Sequence, residues 1–146
     1  MDSLQIQIIF DKNQAKTIML IINILKKGWK SLIIVAVILH LSFASPSEFK
    51  GIPTFENEDK LVHFLMYSGL AIALIYDYKR AKTNNSLILY WLVCIFAPIL
   101  LGGIVEILQP IYFAPRTASW LDWVADILGV LAGWLIMEAL YKKLKA

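Results

Sequence analysis

Polar and apolar positions divide the chain into long apolar runs separated by short charged stretches. The runs extend from Trp29 to Ala44, from Leu61 to Tyr78, from Leu87 to Leu108 and from Trp120 to Tyr141. A helix rises about 1.5 Å per residue, so about 17–25 apolar residues cross the hydrocarbon of a bilayer. The last three runs meet that length. The first reaches it with Gly28 and the stems of Lys27 and Lys30, whose ammonium groups can snorkel to the interface. Trp29, Tyr78, Trp91, Trp120 and Tyr141 stand near run ends, where a ring with a polar edge is satisfied by both lipid and water. The pattern predicts an all-α polytopic membrane protein, a bundle of about four transmembrane helices with antiparallel neighbours.

Composition agrees with a lipid environment. Hydrophobic residues make up 59% of the 146 residues and charged residues 17%, against about 45–50% and about 25% in a soluble domain. Mean hydropathy is +0.66. The net charge of +3 raises nucleic acid as a partner, but no basic helix face or aromatic RNA-binding pattern accompanies it, so none is expected. The basic residues flank apolar runs instead. Lys26, Lys27 and Lys30 precede the first run; Lys79, Arg80 and Lys82 lie between the second and third; Lys142, Lys143 and Lys145 follow the fourth. Four crossings put all three clusters on one side, and the positive-inside rule makes that side, with both termini, cytoplasmic. Residues 1–27 read as a basic, partly amphipathic lead-in, with Met19 as an alternative start, and 28–146 as the membrane domain. The lone Cys94 lies inside an apolar run and has the character of a small buried hydrophobe.

The candidate chemistry gathers at the opposite side. Asp59, His63 and Tyr67 recur every four residues and share one helix face, with Lys60 beside them. Glu106 and Gln109 share a face of the third run, and Gly102 on that face permits close approach of another backbone. Pro98 should kink this helix or break its hydrogen-bond ladder. A carboxylate among Ile104, Val105, Ile107 and Leu108 costs a few kcal/mol unless paired, hydrated or protonated, which makes Glu106 a functional candidate. Arg116 lies in the following loop and suits either an ion pair or a bidentate anion contact. Asp122, Asp126, Gly129 and Gly133 form one stripe on the fourth run. The glycines suit tight helix packing, and Asp126 lies too deep for a cap. Structural alternatives stand beside each: a cap for Asp59 or Asp122, an interface histidine for His63, snorkelling for Lys60.

The ordered set Asp59-Lys60-x-x-His63-Phe64-x-x-Tyr67, Glu106-x-x-Gln109, Arg116, then Asp122, Asp126, Gly129 and Gly133 resembles the VanZ-like family over about residues 30–140. The departure is Asp126, where that family's pattern has asparagine; it adds a negative charge to the cluster. The resemblance implies a small multi-pass protein of the bacterial cytoplasmic membrane. Its namesake is linked to low-level resistance to the glycopeptide teicoplanin, with no established reaction.

Three functions follow as expectations. In the first, Asp59, Lys60, His63, Glu106, Gln109, Arg116, Asp122 and Asp126 bind a lipid headgroup, a lipid-linked cell-wall component or a lipid-tailed glycopeptide. In the second, the protein is an intramembrane enzyme on a lipid-linked phosphate, with His63, Glu106, Arg116 and Asp122 as catalytic candidates. In the third, the same residues are a structural ion-pair cluster without a ligand. The balance leans away from an enzyme. Neither a metal nor another cofactor is expected, because no compact ligand motif of the HExxH kind occurs.

Overall fold

A computed structural model describes residues 26–44, 57–81, 87–112 and 118–145. Every regular element among them is helical. Helix α1 covers residues 26–43, α2 Glu58–Ala81, α3 Leu87–Tyr112 and α4 Trp120–Lys145. The lead-in residues 1–25 and Arg116 lie outside the described residues.

Three of these helices, α2, α3 and α4, are long and apolar enough to cross a membrane. Each extends beyond its apolar run. In α2 the added turns are polar and complement the helix dipole: Glu58 and Asp59 open it, and Lys79 and Arg80 close it. Asn57 starts α2 from a left-handed backbone, φ 63°, which asparagine tolerates better than most residues, and its carbonyl accepts the Leu61 N–H.

Pro98 does not end α3. The preceding turn, Leu92–Phe96, widens to a π-helix in which Ala97 N–H donates to the Leu92 carbonyl. One extra residue in that turn absorbs the register change that a proline, lacking an N–H, imposes on the ladder. The helix therefore continues to Tyr112 and carries Glu106 and Gln109 to its far end.

The main packing is α2 along α4, running parallel. Glycines set the spacing. A Cβ on Gly133 would stand 2.5 Å from the Ser68 carbonyl oxygen, and one on Gly129 would press into the Phe64 carbonyl. The small-residue stripe expected from the sequence is thus the seam between α2 and α4. Helix α3 runs antiparallel to both. Trp91 packs on Trp134 with ring centroids 5.6 Å apart, and Tyr78 meets Tyr90 edge to face at 5.5 Å. Ile38, Tyr67, Leu70, Ile75, Cys94 and Val130 fill the centre. The outside is apolar as well: Leu65, Ile88, Leu100, Ile107 and Leu135 are all exposed. A bundle that is apolar inside and out matches a lipid surround.

Candidate functional site

The starts of α2 and α4 and the end of α3 meet at one end of the bundle. Each brings polar side chains that the apolar surroundings make costly. His63 stands one turn into α2, and its Nδ1 lies 2.9 Å from Asp126 Oδ1 on α4. With Nδ1 as the donor and the carboxylate accepting, Nε2 is the ring nitrogen that faces away from Asp126. Asp126 is completely buried. Its other oxygen points at α3, where a Cβ on Gly102 would stand 2.5 Å from Oδ2. The room left by Gly102 therefore admits the Asp126 carboxylate, not the neighbouring backbone anticipated from the sequence.

Glu106 and Ser119 join α3 to α4. Ser119 opens α4: its carbonyl accepts the Asp122 N–H at 3.0 Å, and its own N–H donates to Glu106 Oε1 at 2.8 Å. Ser119 and Asp122 have the spacing of a capping box, in which the acid three residues on would take the N-cap N–H. Here Glu106 takes it. Asp122 turns instead toward α2, where its Oδ1 lies 3.5 Å from Lys60 Nζ. Lys60 in turn pairs at 3.1 Å with Asp59. The Asp59 side chain is about half exposed, so this pair forms the rim.

Three buried atoms at this end have no hydrogen-bond partner, Glu106 Oε2, Asp126 Oδ2 and Tyr67 Oη, and Asp122 Oδ1 has only the Lys60 ammonium, 3.5 Å away. Tyr67 lies one turn below His63, fully buried, with its hydroxyl unbonded. Buried polar atoms without partners are rare and ask for an explanation. His63, Glu106 and Asp122 each offer one ligand atom, all within 4.8 Å of one another.

Of the eight residues expected in the site, His63, Glu106, Asp122 and Asp126 converge, with Lys60 and Asp59 at their edge. Gln109 is buried nearby and makes a tie between helices, its Nε2 donating to the Ser42 carbonyl at the end of α1, 3.0 Å away. Arg116 is outside the described residues. Beside the cluster, between α3 and α4, lies an apolar groove of about 400 Å³ lined by Leu100, Ile104, Ile107, Trp120 and Trp123, with Glu106 at its wall.

Sequence reading overlooked polar contacts at the other end. Asp77, buried near the end of α2, accepts from the hydroxyl and the N–H of Ser31 on α1, at 2.8 and 3.1 Å. Glu138 Oε1 accepts from Lys79 Nζ at 2.9 Å and from the Tyr90 hydroxyl at 3.2 Å. The signal available for Asp77 was a lone acid at the end of an apolar run, which reads equally well as an exposed helix terminus.

No family model, curated protein or solved structure matches the chain.

Proposed function

We propose that the chain is a VanZ-like envelope protein that holds the head of a lipid-linked molecule at the His63–Glu106–Asp122–Asp126 end, with an acyl chain in the groove between α3 and α4. The observation that carries this reading is the pairing of two features: buried acceptor oxygens without donors, and an apolar groove that shares Glu106 with them. Unpartnered acceptors call for a head rich in donors, such as sugar hydroxyls, amines or amides. A lipid headgroup, a cell-wall precursor and a lipid-tailed glycopeptide all provide such groups on an apolar tail. Lys60 and Arg116 supply positive charge for a phosphate.

In this reading the bundle crosses a bacterial cytoplasmic membrane four times, with both termini inside and the cluster outside. The 18 residues of α1 span about 27 Å, against about 30 Å of hydrocarbon. Two bonds tie α1 into the bundle at opposite ends, Ser31 to Asp77 and Ser42 to Gln109. Lysines from the separate basic clusters share one end, since Lys27 reaches the Ala81 carbonyl and Lys79 reaches Glu138. Single cysteines at Ser47→Cys and Thr117→Cys should react with an impermeant reagent from outside. Labelling from the cytoplasm alone would reverse the orientation.

Lipid mass spectrometry of the purified protein tests the ligand. A defined lipid-linked species should co-purify with the wild type and be lost from Glu106→Gln and Arg116→Lys at unchanged protein level and thermal midpoint. Collapse of protein level in both variants would mark the cluster as structural. A lipid profile matching the bulk membrane would remove the binding reading.

A further inference from the structure

The unpartnered oxygens have a second consequence, independent of the lipid reading. His63, Glu106 and Asp122 come from three helices, yet one ligand atom of each lies within 4.8 Å of the other two. Any three atoms so spaced have a common point no more than about 2.8 Å from each. Zinc–nitrogen and zinc–oxygen bonds are about 2.0–2.2 Å long, so inward movements of less than about 1 Å close the shell. All three residues are buried. Glu106 retains an oxygen that no donor satisfies, and Asp122 Oδ1 faces only the Lys60 ammonium, 3.5 Å away.

The orientation of His63 is the second independent feature. Its Nδ1 lies 2.9 Å from Asp126, a fully buried carboxylate, which leaves Nε2 as the nitrogen a metal would take when Nδ1 donates. Histidines that ligate metals commonly donate their other ring N–H to a carboxylate, which fixes the tautomer and raises the basicity of the ligating nitrogen. Asp126 has no hydrogen bond on its second oxygen, which leaves part of its desolvation uncompensated. A divalent cation beside His63, Glu106 and Asp122 offsets the carboxylate charge in one step. Lys60, 3.5 Å from Asp122, has Asp59 as its other partner and can swing to the rim.

We propose that His63, Glu106 and Asp122 bind a divalent first-row metal ion, with Asp126 as the residue that positions His63. One nitrogen and two carboxylates suit zinc or manganese better than calcium or magnesium, which favour all-oxygen shells. Three protein ligands leave a coordination position open to an exogenous oxygen. The sequence reading expected no metal because it looked for a compact motif, and here each ligand comes from a different helix.

The test uses full-length protein without a polyhistidine tag, purified in detergent, freed of lipid, stripped with EDTA and titrated with Zn²⁺ or Mn²⁺. The wild type should bind one ion per chain, measured by calorimetry and elemental analysis. His63→Ala, Glu106→Gln and Asp122→Asn should each weaken binding at least about tenfold. Asp126→Asn should weaken it about 10–100-fold while leaving the midpoint of the metal-free protein unchanged or higher, an outcome that loss of a structural pair would not give. Glu138→Gln, at the far end, should bind as the wild type. Absence of saturable binding of both ions overturns the proposal, as does undiminished binding in the three ligand variants or an equal loss in Glu138→Gln. If the variants do not fold, X-ray absorption of the zinc-loaded wild type decides: one imidazole with oxygen donors supports the site, and a shell without imidazole rejects it. Because lipid is absent throughout, failure here leaves the lipid-retention result standing, and the reverse also holds.

Discussion

The two ends of the bundle solve the same problem in opposite ways. Both place carboxylates in an apolar surround. At the end formed by the start of α1 and the end of α2, the buried Asp77 meets two donors from Ser31. There Glu138 meets Lys79 and Tyr90. At the other end, Glu106, Asp122 and Asp126 crowd around His63; Glu106 and Asp126 each leave an oxygen without a donor, and Asp122 has only the Lys60 ammonium at 3.5 Å. A polar group that is buried and bonded holds helices together; one that is buried and unbonded weakens them. The first end is built for cohesion. The second carries a cost that cohesion does not explain, and selection tolerates such costs where a ligand recovers them.

If that distinction is right, charge removal has opposite signs at the two ends. Asp77→Ala should give the largest loss, about 2–3 kcal/mol, because it removes the buried acceptor of the Ser31 hydroxyl and N–H. Thermal unfolding in detergent reads it. A change below about 0.5 kcal/mol, the range of an ordinary surface substitution, would mean that Asp77 contributes no cohesion.

Gly129→Ala comes next, at about 2 kcal/mol, since its Cβ would press on the Phe64 carbonyl and the α2 backbone must move. This substitution asks whether the second end depends on the seam: separating α2 from α4 moves His63 away from Asp126, so ligand retention should fall with stability. Gly69→Ala is the control. Nothing lies within 4 Å of its Cβ position, and an alanine there should stabilise α2 by about 0.5–1 kcal/mol.

The helices were readable in the sequence because lipid imposes one strong rule, long apolar runs with charged ends, and the runs contain few exceptions. The convergence of His63, Glu106, Asp122 and Asp126 was readable for a related reason. Alternation of crossing direction puts the start of α2, the end of α3 and the start of α4 at one level. Spacing within a helix shows which residues share a face, but not what that face meets. Gln109 shares a face with Glu106, yet it reaches the Ser42 carbonyl. Asp77 depends on Ser31, 46 residues away, and nothing local to either announces the pair. Pro98 predicted a break; the compensation, a π turn before it, is a property of the whole ladder. That one atom each of His63, Glu106 and Asp122 lies within 4.8 Å of the other two is a distance between helices, which spacing within a run does not give.

At the His63 end the sign should reverse. In protein stripped of metal and lipid, Glu106→Gln removes one of three crowded carboxylates and keeps an acceptor for the Ser119 N–H. It should raise stability by roughly 0.5–1 kcal/mol. Destabilisation as large as that of Asp77→Ala would erase the contrast and favour a purely structural cluster.

The smallest effect belongs to Lys79→Gln. Its ion pair with Glu138 is partly open, with side-chain exposures of 28% and 34%, and such pairs contribute roughly 0.2–1 kcal/mol. The lysine also sits 3.9 Å from the Tyr141 ring centroid, a contact that adds roughly 0.5 kcal/mol when exposed. After the substitution Glu138 still accepts from the Tyr90 hydroxyl and reaches solvent, so no buried charge is stranded. A loss near or below about 1 kcal/mol is therefore expected in the same unfolding assay. A loss matching that of Asp77→Ala would show that cohesion at this end rests on charge pairing in general. The small loss expected would place it in the buried Ser31–Asp77 contact, where water cannot substitute for the missing partner.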